Sequence, residues 1–351
     1  MTSPPPSAAA PSPLAPPARR RVRGQAWLVV FGLLLAVPAV AATGLRVLAP
    51  SSDQLAKVAS FIPYGLVFWL PATILVGVAT LRAWRGRTPG RWPVSVLSAL
   101  CAAGLAATAV WQAPVFFSDS RPVDTAPLTV ASLNVAGEAD PAVAARAVAD
   151  ADVVVFVEAH VKWVSTLPDS FRAAFRYRAP VDAKASDRAN ADAVIFSKHP
   201  IISSEPMPPS SFQQWTALIR TPQLGPLRVV AAHPCNPYCR PGLWSREAQR
   251  LRSWLAARDA SVPTVVAGDF NSVDDHPTMQ ALYADGFRSA ADLAGAGFVR
   301  TWPADRRFPP LIAIDHVLVD DRLTATSLST FDVPGTDHLG LRAVIAGTGK
   351  Q

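Results

Sequence analysis

Two kinds of hydrophobic patterning follow one another along the chain, and the change between them divides it. From Ala26 to Leu45, Ala59 to Leu81 and Trp92 to Phe117 the residues are overwhelmingly apolar and none is charged. Each run, wound as a helix, is long enough to cross the roughly 30 Å hydrocarbon layer of a bilayer, so three transmembrane helices are predicted. Pro38 and Pro71 fall inside these runs, where a membrane bundle tolerates them. After Ser118 the apolar stretches shorten to strand length: Leu128 to Asn134, Val153 to Glu158, Ala193 to Ser197, Leu227 to His233, Thr264 to Asp269 and Ile312 to Val319. Between the fourth and fifth of these, Trp244, Leu251, Trp254 and Leu255 recur at helical spacing and predict an amphipathic helix over 244–258. A stretch of about 230 residues patterned in this way suffices for one mixed α/β domain.

The expected organisation is a Pro/Ala-rich, basic, disordered cytoplasmic tail (1–25), a three-helix membrane region (26–117), a linker marked by Pro122 and Pro127 (118–127), and a water-exposed domain (128–351). Charge sets the orientation. Arg19, Arg20, Arg21 and Arg23 precede the first run, and Arg82, Arg85, Arg87 and Arg91 separate the second from the third, whereas the first loop holds only Arg46 and Lys57. Basic loops stay on the cytoplasmic side, so everything after Phe117 is expected outside the cytoplasm, on a multi-pass protein of the cell membrane. Reading the first run instead as a cleaved secretory signal, with Ala39 to Ala42 near the cut, delivers the domain to the same side.

The same asymmetry weakens one reading of the pI of 9.8. Residues 1–127 hold 11 Lys and Arg against 3 Asp and Glu, and the rest hold 22 against 23. The excess of positive charge therefore lies at the membrane, and a near-neutral domain does not favour nucleic acid as a partner.

Polar residues close several of the predicted strands: Asn134, Glu158, His233 and Asp269. One such ending is an ordinary turn former, but four in one domain assemble at sheet edges, where sites are built. The string TVVAGDFNS (264–272) delivers Asp269 and Asn271 to one side of an extended chain behind Gly268. A carboxylate there can take the proton of an attacking water, while the amide holds a phosphate oxygen or the nucleophile.

GDFN after an apolar strand, IDHVLV at 314–319 and TDHLGL at 336–341 together resemble the endonuclease/exonuclease/phosphatase superfamily, over about residues 127–347. The three preceding runs, HPCNP and TWP (301–303) resemble its membrane-anchored bacterial branch. The resemblance implies a DNase I-like four-layer sandwich, two mixed sheets flanked by helices, and a metal-dependent phosphoric ester hydrolase. It assigns Asn134, Glu158 and Asp337 to the metal or its support, His233 to the scissile phosphate, and Asp315 to orienting His338. Asp269 would orient and deprotonate water, and Asn271 would fix it or the phosphate. Mg2+ is the expected ion, with Mn2+ or Ca2+ as alternatives, since these hard cations prefer oxygen ligands. Val157 departs from a Gln common at that position in the family, which leaves the local support of Glu158 open, and His316 reads as packing. Arg246 and Trp302 are open between substrate contact and packing.

Cys235 and Cys239 stand close enough to pair outside the cytoplasm, with free thiols as the alternative; Cys101 reads as a small buried hydrophobe. The expected activity is hydrolysis of a phosphodiester, of nucleic acid or a phospholipid head group. A phosphomonoesterase acting on a lipid or small-molecule phosphate is the alternative chemistry. A noncatalytic tethered binding module is the alternative of another class. The partners implied are the bilayer and the phosphate-ester substrate, with no obligate protein partner inferred.

Overall fold

Uninterrupted apolar runs have no polar face to turn to water, and in the computed structural model, which describes residues 18–180 and 192–348, they are helices. Of the tail expected to be disordered over 1–25, residues 1–17 lie outside the described residues, and 18–25 are helical, continuous with the first apolar run. Helix α1 is Ala18–Leu48, α2 is Asp53–Ala59, α3 is Gly65–Arg85 and α4 is Arg91–Gln112. Three stretches, Gly24–Leu48, Ile62–Arg85 and Arg91–Phe116, are long and apolar enough to cross a membrane.

The chain divides into two compact units. The first comprises the chain up to Val40 with Leu66–Ala106. Its helices meet through small residues: a Cβ on Gly32 would stand 2.7 Å from Val76, and one on Gly104 would stand 2.4 Å from the Trp69 ring. Small residues allow such close approach between helices in lipid. Cys101 is buried in this cluster, while Phe31, Leu34, Leu70, Ile74 and Leu100 are exposed.

The second unit comprises Ala41–Gly65 and Ala107–Gln351, and its framework is two six-stranded sheets. The strands are β1 (Leu128–Asn134), β2 (Val153–Val157), β3 (Tyr177–Ala179), β4 (Val194–Ser197), β5 (Ile201–Pro206), β6 (Trp215–Thr221), β7 (Gly225–Ala232), β8 (Thr264–Asp269), β9 (Arg288–Ser289), β10 (Asp315–Val319), β11 (Leu323–Phe331) and β12 (Gly340–Gly347). One sheet runs β11-β12-β1-β2-β4-β3 and the other β5-β6-β7-β8-β10-β9. Each has one parallel pair at its centre, β1 with β2 and β7 with β8, among antiparallel neighbours.

Strand periodicity builds the layers. Val153, Val155 and Val157 point into the seam between the sheets, against residues such as Val229, Val265 and Val317, while Val154 and Phe156 point away. The outer face of the first sheet packs on α5 (Pro141–Ala147), α6 (Val161–Ser165) and α7 (Asp169–Ala174), through Ala144, Trp163 and Phe171. That of the second packs on α8 (Leu243–Ala257) and α9 (Pro277–Ala284), through Leu251, Leu255, Met279 and Leu282. Helix α10 (Ala290–Ala294) lends Ala290 and Leu293 to the seam. The result is the expected four-layer sandwich.

The stretch expected to be a linker is hydrogen-bonded to this sandwich. Arg121 N donates to Thr324 Oγ1 at 2.9 Å, and Asp124 N to the Gly347 carbonyl at 3.1 Å.

Close packing at the end of β8 depends on one glycine. Gly268 has φ +143°, and a Cβ there would stand 2.1 Å from the Ala232 carbonyl oxygen of the neighbouring strand. Gly268→Ala combines a strained backbone with a backbone clash, a cost of about 2 kcal/mol or more. Thermal unfolding of the variant should show a midpoint lower by about 4 °C or more; an unchanged midpoint would contradict the account.

Candidate active site

The topology brings six chain segments to one end of the sandwich. Parallel β1 and β2 finish side by side, placing Asn134 and Glu158 next to each other, and parallel β7 and β8 do the same for His233 and Asp269. The antiparallel neighbours contribute their beginnings: Asp315 opens β10 directly opposite Asp269, and His338 just precedes β12. Glu158, Asp269, Asn271, Asp337 and His338 line one cleft of about 430 Å3.

Asn134 ties the two sheets together. Its Nδ2 donates to Glu158 Oε1 at 2.9 Å and to Asp269 Oδ2 at 3.1 Å, and its Oδ1 accepts from Ala136 N at 2.9 Å. The amide nitrogen, not the oxygen, thus faces the carboxylates. Asp269 also accepts from the backbone N–H of Asn271 at 2.7 Å, and Asn271 Nδ2 donates to the Pro234 carbonyl at 3.0 Å.

Two histidines flank Asp269. His233 Nε2 and His338 Nε2 each lie 3.8 Å from Asp269 Oδ2, and His233 Nε2 is also 3.8 Å from Glu158 Oε1. Each imidazole is held from behind: His338 Nδ1 meets Asp315 Oδ2 at 2.8 Å, and His233 Nδ1 meets Asp192 Oδ2 at 2.6 Å. The His233 ring stacks on Phe212 at 4.3 Å, and the backbone N–H of His233 donates to Gln214 Oε1 at 3.0 Å. Asp337 Oδ2 accepts from Trp302 Nε1 at 2.8 Å, with Oδ1 3.7 Å from His338 Nε2.

These contacts set the charges. Burial alone would lower His233, but Asp192, aided by Asp269 and Glu158, raises it from 6.5 to about 9. Burial likewise opposes the charged form of His338, yet Asp315, with Asp269 and Asp337, raises it to about 10. Both rings therefore carry two protons at neutral pH, and each Nε2 is a donor. Burial and the Asp315 charge push Asp269 up to about 6, against the pull of His338, His233 and the Asn271 N–H.

The donor set fits a divalent cation. Oxygens of Glu158 and Asp269 and a ring nitrogen of His233 lie within 4.8 Å of one another, as do atoms of Asp269, Asp315 and His338. Among these atoms the carboxylate oxygens match the preference of a hard ion. Five carboxyl groups, of Glu158, Asp192, Asp269, Asp315 and Asp337, surround two imidazoles, an excess of negative charge that a bound cation offsets.

Backbone strain gathers here as well. Ala136, Glu158 and Asn271 adopt φ of 48°, 53° and 48°, a region L residues rarely occupy and one that recurs at functional sites.

Every residue singled out in the sequence as catalytic or metal-binding lies in this cluster. Trp302 lines the cleft, whereas Arg246 donates to the Pro241 carbonyl beside its own helix and does not line it. His316 is buried, with Nε2 on the Ser272 carbonyl at 2.8 Å and its edge on Phe270. Cys235 and Cys239 are disulfide-bonded, and Glu247 braces the same loop by accepting from Cys235 N at 2.8 Å. Asp192 is the functional residue that the sequence did not reveal. It stands 41 residues from its histidine in no recognisable string, and only its pairing marks it as the counterpart of Asp315.

The model of the "Endonuclease/Exonuclease/phosphatase family" matches residues 131–338, more than half of the chain. Among solved structures, the endonuclease/exonuclease/phosphatase from Bacteroides vulgatus is 17% identical, with 63% of this chain and 99% of that one covered at a TM-score of 0.51. A functionally unknown conserved protein from Enterococcus faecalis V583 is 16% identical, with 63% and 100% covered, also at 0.51. At such identities these neighbours establish the fold alone. A comparison with curated proteins found no match. The chain belongs to the endonuclease/exonuclease/phosphatase family, a family of divalent-metal-dependent phosphoric ester hydrolases, and it carries that family's DNase I-like fold.

Proposed function

We propose that the chain is a membrane-anchored phosphodiesterase that uses Mg2+ and works outside the cytoplasm. The observation that carries the reading is the Asp269 carboxylate, 3.8 Å from the Nε2 donors of both His233 and His338, with Glu158 beside it. A noncatalytic module has no use for two imidazolium donors converging on one carboxylate. Three helices of spanning length and the arginines between the second and third support the anchor and its orientation. The Cys235–Cys239 bond fits an oxidising compartment.

In this reading Glu158 and Asp337 hold the ion, which supplies Lewis-acid stabilisation of the phosphoryl oxygens. Asp269 orients the attacking water and accepts its proton. Asn271 is fixed beside it by its own N–H bond to Asp269, and His233 and His338 donate from Nε2 to the anionic oxygens of the transferring group. Asn134, with its oxygen engaged by Ala136, sets the spacing between the Glu158 and Asp269 carboxylates.

The test uses the full chain purified in detergent, with Mg2+, against DNA, RNA, phospholipids, a soluble phosphodiester and phosphomonoesters. Metal-dependent turnover of a diester is expected, and Asp269→Asn or His338→Ala should each lower kcat/KM about a hundredfold or more. Turnover of monoesters alone would replace this reading with a phosphatase, and no turnover with no metal binding would leave a tethered scaffold.

The pH profile gives an independent check. Activity should fall on the acid side as Asp269 takes up a proton near 6, and on the basic side as His233 loses one near 9. Asp315→Asn removes the main charge that raises His338 and leaves burial, which lowers it. Asp269 and Asp337 still raise it, so the basic limb of kcat/KM should move to lower pH rather than vanish, with a severalfold loss on the alkaline side. An unmoved basic limb would show that His338 does not act as the cation described.

A further inference from the structure

The loop between the first two candidate spans belongs to the same compact unit as the two sheets. Helix α2 lies in this loop, and Ala56, Ala59 and Ile62 along it are buried. It is fastened to the sandwich through one backbone carbonyl and several side chains. His276 Nε2 donates to the Ala56 carbonyl at 2.9 Å, Gly242 N donates to Asp53 Oδ2 at 2.6 Å, and Tyr64 Oη donates to the Leu311 carbonyl at 2.8 Å. Arg46 Nε, near the end of the first span, pairs with Asp275 at 2.9 Å.

The catalytic cleft takes one wall from this loop. Lys57, Ser60 and Phe61 line it together with Glu158, Asp269 and His338. Lys57 is the only Lys or Arg among the described residues of that lining; its Nζ sits 3.9 Å over the ring of Tyr238, another lining residue, and donates to Gln54 Oε1 at 3.4 Å. Phe61 is 47% exposed and immediately precedes Ile62, the first residue of the second span. The end of the third span is tied in the same way: Phe116 packs edge-on against Phe298 at 4.9 Å, and the neighbouring Phe117 is exposed. Exposed apolar aromatics such as these suit the boundary between head groups and acyl chains.

We propose, building on the phosphodiesterase reading, that the substrate is an anionic phospholipid taken from the bilayer surface, with Lys57 binding its head group and Phe61 forming the lipid-side wall of the cleft. Chain continuity supports this: a wall one residue from a span cannot stand far from the membrane. Charge supports it too. A single lysine in the described lining suits one compact anionic head group, whereas a nucleic acid backbone calls for a row of cations.

The test measures metal-dependent release of head group by the full-length protein from vesicles of phosphatidylglycerol and of phosphatidylcholine, beside hydrolysis of soluble bis(p-nitrophenyl) phosphate. Wild type should favour phosphatidylglycerol. Lys57→Met, which keeps the aliphatic stem, should shrink that preference about fivefold, and Lys57→Arg should retain it. A preference ratio compares two substrates on one variant, so a purely structural role for Lys57 would leave it unmoved. Hydrolysis of the soluble diester without turnover of either lipid, or a Lys57→Met ratio equal to wild type, overturns the inference and leaves the phosphodiesterase standing. Failure on all three substrates removes the underlying reading as well.

Discussion

A carboxylate that is 2% exposed cannot remain ionised unless its charge is offset, and Asp269 is such a group at the centre of the site. The offset comes from His233 and His338, which are cationic only because Asp192 and Asp315 stand behind them. The five side chains form an alternating row of carboxylate and imidazolium, each link keeping the next in its charged form. The row joins the two sheets, since Asp192 and its histidine cross from one sheet's loops to the other's strands. Removing one end therefore shifts the protonation of the middle.

That row can exist because of where the chain reverses. Two parallel pairs, β1 with β2 and β7 with β8, point their C-terminal ends the same way, and the sheets stack through Val153, Val155, Val265 and Val317 so that those ends meet. Within this frame Asn134, bonding to Glu158 on its own sheet and to Asp269 on the other, measures the distance between the sheets at the point where the chemistry sits. Positive φ at Ala136, Glu158 and Asn271 turns the chain sharply off the strand ends, so that the side chains enter the cleft instead of continuing the ladders. The surrounding ladders hold this local strain in place.

Where one physical signal dominates, the sequence was readable. Strands β1 and β8 run over the predicted residues, because fully buried strands appear as unbroken apolar runs that end in a polar residue. The predicted helix over 244–258 is observed as Leu243–Ala257. Strands β3, β5 and β11 were not legible because they are short or carry exposed polar residues, and pairing decides their conformation. Glu158, His233, Asp269 and His338 could be found because their strings also resemble a family pattern. Asp192 could not, since an acidic residue in a loop announces nothing until its partner is known.

The loop at Asp53–Tyr64 was the least legible part of the site, for a related reason. Its first residues, to Val58, read as a short connection and the rest, from Ala59, as the start of the second apolar run, while the partners that hold it, His276, Gly242 and Leu311, lie about two hundred residues further on. Each tie is a backbone or single-residue contact with no periodicity to advertise it. Taken together with the bonds of Arg121 and Asp124 to β11 and β12, they leave both the loop before the second candidate span and the stretch after the third fastened to the sandwich rather than loose. A wall built from a fastened segment is already ordered before a substrate arrives, so binding does not have to supply the ordering free energy that a free tether would demand. The loop that leads to the second candidate span is thus part of the cleft itself.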